Sequence, residues 1–259
     1  MFSEVKKDDM TALKVINLSK TYRESTGEVH ALGPVSFEME TGEFLCFLGP
    51  TGCGKTTLLR TIAGLEKPDT GKVIIPSRSG GEEPVIGYVF QQGALFPWMS
   101  IFANLEFPLK AKKIVKDSRR EKVESMLEMM GLSSFASSYP HQLSGGMQQR
   151  AALARSLVME PDLLLMDEPF SSLDTRTSQK LQENLRDLLK KASTTVLFVT
   201  HNIEEAVYLA GEIIVLGHRP GRIVRRETID LSDPRSRVSE SFTEYLVSLR
   251  KTFESLVSD

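Results

Sequence analysis

Gly49-Pro50-Thr51-Gly52-Cys53-Gly54-Lys55-Thr56-Thr57 fits the pattern G-x-x-x-x-G-K-[ST], with Gly49, Gly54, Lys55 and Thr56 at the fixed positions. Before it, Phe44-Leu45-Cys46-Phe47-Leu48 is apolar and short enough for a buried strand. After it, Leu58, Leu59, Ile62 and Ala63 recur at helical spacing. Strand, glycine-rich loop and helix form the context in which such a loop holds phosphate. Glycines let successive N–H groups turn inward around phosphate oxygens, and the start of the next helix adds partial positive charge. Lys55 then has the reach for the β- and γ-phosphates of a nucleotide, and the Thr56 hydroxyl is a ligand for Mg²⁺.

Composition sets the outer bounds. The 259 residues are 41% apolar and 25% charged, as in an ordinary globular protein. A net charge of −2, from 32 basic and 34 acidic residues, gives no general affinity for nucleic acid or an anionic membrane. No apolar run approaches the ~18 residues of a membrane span, and the start, MFSEVKKDDMTALK, lacks the apolar centre of a signal peptide. The expectation is a cytoplasmic chain that meets a membrane only through a partner, with no further regulatory domain. Cys46 and Cys53 form no metal motif and no disulfide framework. Cys46 reads as a core residue. Cys53, ahead of a helix N-terminus, reads either as a tolerated small residue or as a thiol with a lowered pKa.

Taken in order, residues 11–40 read as two strands around a polar turn at Glu24–Glu28. Tyr22, at a strand end, is either a platform for an adenine ring or an edge-strand aromatic. Pro68-Asp69-Thr70-Gly71 makes a turn, Lys72–Ile75 a strand, Ser77–Pro84 a loop, and Val85–Phe90 a strand ending on Gln91-Gln92. A glutamine there can orient a water or complete a Mg²⁺ shell. Residues 93–160 turn helical. Ile101, Leu105 and Leu109 share one face, with a kink or an end expected at Pro108. Val123, Met126, Leu127 and Met130 share another, closed by Gly131 at the C′ position. Six of the ten methionines (Met99, Met126, Met129, Met130, Met147 and Met159) fall here, as core or as an adaptable partner surface.

Leu143–Arg150 reads LSGGMQQR, in which Ser144, Gly145 and Gly146 precede a helix. That is a second anion-binding geometry. One nucleotide uses both loops only if they face each other, within a chain or across a dimer. The strand Asp162–Met166 ends in Asp167 and Glu168, placed to hold Mg²⁺ and to polarise an attacking water respectively. Ser171-Ser172-Leu173-Asp174 leads into a helix with Leu181, Leu185, Leu188 and Leu189 on one face. Thr195–Val199 delivers Thr200 and His201 to the same edge, with Asn202 and Glu205 spaced as a helix cap and its N3 partner. Two short strands flank the basic turn His218-Arg219-Pro220-Gly221-Arg222, and Val238, Phe242, Tyr245, Leu246, Leu249, Phe253 and Leu256 mark a final amphipathic helix.

In this order the motifs resemble those of the ATP-binding-cassette (ABC) ATPases over nearly the whole length. LSGGMQQR is the most specific of them. The resemblance implies an α/β fold: a P-loop NTPase core with an antiparallel β subdomain (1–92 and 161–232), an inserted α-helical subdomain (93–160) and a C-terminal helix (233–259). It implies ATP and Mg²⁺ as cofactors. Tyr22 resembles the adenine-stacking aromatic, Gln91 the residue linking the γ-phosphate to a transmembrane partner, and Glu168 the catalytic glutamate. Asp174 resembles the dimer-loop aspartate and His201 the switch histidine. Ser144, Gly145 and Gly146 resemble the signature that closes on ATP bound to the opposite subunit of a homodimer. LFPWMSIFANLEFPL after Gln91, YPHQLSGGMQQRAALARSL and HRPGRI resemble importers of nitrate, aliphatic sulfonates and taurine. This implies an ATPase at the cytoplasmic face of the membrane, a permease partner, an extracytoplasmic binding protein and no nucleic acid. Thr51 stands where serine is common and Gln92 where an acid often follows. Soluble cassettes of DNA repair or translation are set apart by coiled-coil insertions, a second cassette or a basic surface, and the sequence carries none. Export by the same machinery, or a nucleotide sensor without catalysis, remains the other alternative; intact Lys55, Glu168 and His201 speak against the sensor.

Overall fold

The computed structural model describes residues 11–24, 27–77, 83–91 and 94–257. The reading of the first ten residues, the middle of the turn expected at 24–28, most of the loop expected at 77–84, Gln92 and the first residue of the helical insert lie outside the described residues.

Two long strands, β1 (Thr11–Glu24) and β2 (Gly27–Glu40), pair antiparallel. In β2 the inward Val35, Phe37 and Met39 alternate with outward Ser36, Glu38 and Glu40, the signature of a sheet with one buried face. β3 (Phe44–Leu48) runs into the glycine loop and α1 (Lys55–Ile62) follows it. β4 (Thr70–Ile74) completes a three-stranded antiparallel sheet of order β2-β1-β4.

β5 (Ile86–Val89) opens the second sheet. Helices α2 (Ile101–Ala111), α3 (Lys116–Met129) and α4 (Gly145–Leu157) come next, and then β6 (Leu163–Asp167). α5 (Thr175–Lys191), β7 (Val196–Thr200), α6 (Ile203–Leu209), β8 (Glu212–Leu216), β9 (Ile223–Thr228) and α7 (Glu240–Val257) complete the chain. The six-stranded sheet has the order β5-β6-β7-β3-β8-β9, parallel except for β9. β3, β6, β7 and β8 are covered on both faces, which is why they read as unbroken apolar runs. Successive residues serve different cores. Leu45 and Phe47 face the antiparallel sheet and α1, while Cys46 and Leu48 face the helices of the opposite layer. Each such side chain contributes about 2 kcal/mol on burial, so the two cores outweigh the surface ion pairs, each worth ~0–1 kcal/mol.

Three local expectations need correction or sharpening. α2 runs through Pro108 to Ala111 without breaking. Pro108 leaves Asn104 O without the N–H that would reach back to it, and buried Leu105 and Leu109 fasten the helix on either side. α7 starts at Glu240, leaving Val238 outside it and 91% exposed. The Ser239 hydroxyl accepts from Phe242 N (3.3 Å) and so sets the helix start two residues after Val238. At α6 the Asn202 side chain caps Glu204 N and Glu205 N, but Glu205 does not reach back. Thr200 Oγ1 accepts from Asn202 N (3.0 Å) and donates to Glu205 Oε2 (2.7 Å), a relay in place of a capping box. The end of α3 behaves as expected. Gly131, at φ 65°, donates to Glu128 O and Leu132 donates to Leu127 O, a Schellman closure over the Leu127–Leu132 contact.

Candidate nucleotide site

The carboxyl ends of β3, β6 and β7 converge on one edge of the parallel sheet, where open α/β sheets bind ligands. β3 delivers the glycine loop. Gly52 and Gly54 have φ of 80° and 108°, a region that costs side-chain-bearing residues dearly. A Cβ on Gly54 would also collide with the Ala31 carbonyl oxygen of β2. Gly54 is the N-cap of α1 and gives it no side-chain cap, so the first N–H groups of the helix keep no side-chain acceptor.

Lys55 is buried and folds back over its own loop. Its Nζ donates to Gly49 O (2.9 Å) and Pro50 O (3.0 Å), and lies 3.4 Å from Glu168 Oε1. Glu168 Oε2 lies 2.8 Å from His201 Nδ1. One carboxylate therefore joins the loop lysine to the histidine at the end of β7. The Glu168 backbone has φ 44°, held by Glu168 N donating to Val199 O and by Ser171 donating to Glu168 O through both N and Oγ. A non-glycine residue held in that conformation by several bonds is typical of a functional position.

Asp167 ends β6 and is buried. Its Oδ1 accepts from Thr56 Oγ1 (3.0 Å) and its Oδ2 from the Tyr88 hydroxyl (3.2 Å). Burial pushes the carboxyl up from its ordinary value, against the pull of those two donors. Gln91, exposed, donates to Ser171 Oγ (3.2 Å) and so stands on the Glu168–Ser171 turn. Tyr22 reaches the loop helix, its hydroxyl 3.5 Å from Thr57 Oγ1, with Lys20 Nζ 5.3 Å from its ring centre. Thr51 is exposed at the loop tip, beside Pro50 and Gly52.

Cys53 overturns the reactive reading. It is buried, its Sγ packs where a Cβ on Gly49 would stand, and desolvation pushes its thiol up, although Lys55 pulls the other way. Ser144 and Gly145 lie exposed at the start of α4, where Ser144 Oγ accepts from Met147 N at 3.4 Å. Gly146 crowds Thr177 of α5, since a Cβ there would sit 2.7 Å from its Cγ2. Asp174 caps α5 through Thr177 N (3.0 Å), and those bonds hold its carboxyl below the usual range. The structure thus groups Lys55, Thr56, Gln91, Asp167, Glu168 and His201. It places Ser144–Gly146 beside the Asp174 loop instead. Among the described residues no hydrogen bond joins Ser144–Gly146 to the Gly49–Thr57 loop. Sequence reasoning missed Tyr88 and Ser171 as supports. Tyr88 carried a signal, since it stands two residues before the last strand-end position, on the same face.

A buried lysine on a glycine loop, a hydroxyl–carboxylate pair and an acid bonded to a histidine are the parts of a P-loop nucleotide site on a doubly covered α/β sheet. Comparison with known proteins makes the class specific. A family model described as ABC transporter matches residues 32–171. The uncharacterized ABC transporter ATP-binding protein MJ0412 of Methanocaldococcus jannaschii is 46% identical over 259 residues, 99% of this chain and 96% of that protein. The aliphatic sulfonates import ATP-binding protein SsuB of Bacillus cereus is 41% identical, over 93% of this chain and 96% of its own. The nitrate import ATP-binding protein NrtD of Synechocystis is 43% identical, over 85% and 83%. A solved dimeric structure of the ATP-binding cassette MJ0796, bound to ADP and Pi, superposes with TM-score 0.73 at 34% identity, covering 84% of this chain and 99% of that one. The chain belongs to the ABC transporter family, among its ATP-binding ATPase cassettes.

Proposed function

We propose that this chain is the ATP-hydrolysing subunit of an ABC importer, working as a head-to-tail homodimer beneath a membrane permease. The observation that carries this reading is the single Glu168 carboxylate standing between Lys55 and His201. Lys55 has three donors; two are taken by loop carbonyls and the third faces Glu168. A γ-phosphate arriving at the loop competes for that third donor and leaves Glu168 to orient a water and accept its proton. His201 holds the other carboxylate oxygen, so the freed side chain stays aimed. The fixed N–H groups of the loop and of α1 hold phosphate oxygens. Tyr22 is the platform for the base.

Thr56 and Asp167 suit a magnesium ion. They present adjacent hard oxygens, and among the described residues no set of three His, Cys, Asp or Glu side chains forms a cage of its own. That donor set fits an ion shared with substrate phosphates, with Gln91 as a further oxygen. Bound there, the ion supplies neutralisation of phosphate charge. The division into a core (1–92 and 161–232), a helical insert (93–160) and a C-terminal element (233–259) is part of the same proposal. So is the role of Ser144, Gly145, Gly146 and Asp174 in completing the partner's site.

The permease contact is assigned to the aromatic patch that follows Gln91. Phe96 packs against Trp98 (5.6 Å between ring centres) and Phe107 (5.0 Å), with the Arg155 guanidinium 5.4 Å from the Phe96 ring centre, and Trp98 is 70% exposed. Large exposed aromatics over a fixed base suit an apolar helix. No helix among the described residues is long and apolar enough to cross a membrane, which agrees with a peripheral place on the cytoplasmic face. The cargo is a sulfonate, nitrate, taurine or similar small anion, delivered by an extracytoplasmic binding protein. Nucleic acid has no part in it. Copurification from membranes tests the assignment. An integral permease should come with the chain, and ligand bound to the cognate binding protein should stimulate ATP hydrolysis. Recovery without any membrane partner would sink it.

A further inference from the structure

The turn His218–Arg222 between β8 and β9 lies outside the segment that the family model matches and has no part in the site above. It nevertheless stands directly behind the phosphate loop. Arg219 Nε donates to Gly52 O (3.2 Å). Gly221 packs so closely on the Cys53 carbonyl oxygen that a Cβ there would drive into it. Gly221 is itself pinned to β2: Gly33 N donates to Gly221 O (3.0 Å) and Gly221 N to Ala31 O (3.3 Å). Ala31 O is also the atom that leaves room only for a glycine at position 54.

A peptide unit that turns its N–H inward to a phosphate turns its C=O outward. Four loop carbonyls between Gly49 and Cys53 have a close neighbour in the structure; that of Gly49 precedes Pro50, which has no N–H, and the unit after Gly52 turns its own N–H to Pro50 O (Cys53 N, 3.3 Å). Lys55 holds those of Gly49 and Pro50 from within, while Arg219 and Gly221 face those of Gly52 and Cys53 from outside. Gly52 and Gly54 have no side chain to restrict them, so the free loop depends on such anchors for its shape. We infer that Arg219 and Gly221 are positioning residues for ATP, fixing the carbonyls of Gly52 and Cys53 so that the phosphate loop keeps its curvature and the Gly54 N–H stays turned toward the phosphates before nucleotide arrives. The inference rests on the reading of Gly49–Thr57 as the phosphate loop.

Two substitutions separate anchoring from charge. Arg219→Gln keeps an N–H donor at the position of Nε without the charge; Arg219→Met keeps the length and loses the donor. Loss of a net hydrogen bond to a charged group predicts a KM for MgATP raised about tenfold in Arg219→Met, with kcat within about twofold of wild type, because anchoring serves ground state and transition state alike. Arg219→Gln should recover most of that loss. Amide hydrogen exchange over residues 50–55 of the nucleotide-free protein should be faster in Arg219→Met than in Arg219→Gln. Gly221→Ala should raise KM further. Wild-type KM and exchange in Arg219→Met, or equal losses in the Met and Gln variants, would overturn the inference. Lys55→Ala separates the two levels of the reading. If it binds fluorescent ATP normally, the phosphate-loop assignment fails; if it loses binding while Arg219→Met matches wild type, the anchoring role alone fails.

Discussion

Two helices of this chain begin at glycine-rich loops, and the loops are finished in different ways. The one before α1 is enclosed by its own chain: Lys55 is buried beneath it, Glu168 faces it, and β2 lies against its outer side. The one before α4 has a firmly seated helix behind it, with Ala151, Leu153 and Ala154 all buried, but its leading residues Ser144 and Gly145 are open to solvent. The Ser144 cap on Met147 N, at 3.4 Å, is long for a hydrogen bond and easily exchanged for another acceptor. The first loop can bind phosphate within one subunit. The second presents exposed Ser144 and Gly145 on a buried mount, and on the proposed reading it completes the partner's site.

The sharpest way to test the finished half is Glu168→Gln. It removes the proton acceptor but keeps a side chain that can bond to His201 and Lys55. Turnover should fall at least ~100-fold, the usual worth of a general base, while MgATP binding measured by equilibrium dialysis stays near wild type. Near-normal turnover would remove Glu168 from the role of main catalytic group.

The open half is tested by mixing. Lys55→Ala and Ser144→Arg homodimers should each be inactive, because both of their sites carry a lesion. In the mixed dimer one composite site collects both lesions, and the other pairs an intact Lys55 loop with an intact Ser144 loop. MgATP-dependent closure, followed by small-angle scattering, should return on mixing. Verified mixed dimers that show neither closure nor hydrolysis would mean that each site is built within one chain.

A smaller effect belongs to the region between the loops. Trp98→Ala should weaken permease copurification several-fold and leave MgATP affinity of the isolated chain unchanged, since Trp98 is largely exposed and far in function from the phosphate loop. A variant that loses its thermal transition instead would show that the aromatic patch is internal packing.

The smallest effect is on stability. Burial pushes the Glu205 carboxyl up to about 7, against hydrogen bonding from Thr200 and the charge of His201 and with the charges of Glu168 and Glu204. A carboxyl raised in the fold contributes stability that is present below its unfolded value near 4.5 and is lost as pH rises through the folded one. At ~1.4 kcal/mol per unit, discounted for the part of the shift that solvent screens, the loss is about 2 kcal/mol. Glu205→Gln should therefore melt about 5 °C above wild type at pH 8 and close to it near pH 4.5. A constant offset across that range would place the effect in packing.

The parallel sheet was legible because strands covered on both faces carry no polar alternation to confuse the reading, and the glycine loop because its residue types follow from backbone geometry. The Gly131 closure and the Asn202 cap were legible for the same local reason. What escaped the sequence came from contacts across long stretches of chain. Tyr88 meets Asp167 over 79 positions and Arg219 meets Gly52 over 167. The reactive alternative for Cys53 failed because a helix N-terminus is a local feature and burial is not. The helix continues past Pro108 because buried Leu105 and Leu109 hold it on either side, and that packing is not local.

Asn104 of α2 is fully buried and holds the segment in front of it. Its Oδ1 accepts from Phe96 N (2.8 Å), and its Nδ2 donates to Phe96 O, Met99 O and Ser100 O at 3.0–3.2 Å. The loop bearing Trp98 is therefore stiff despite its exposure. On the proposed permease reading, a push on that tryptophan would pass to α2 through the Asn104 bonds, with the aromatic patch as the end of a rod rather than a hook on a string.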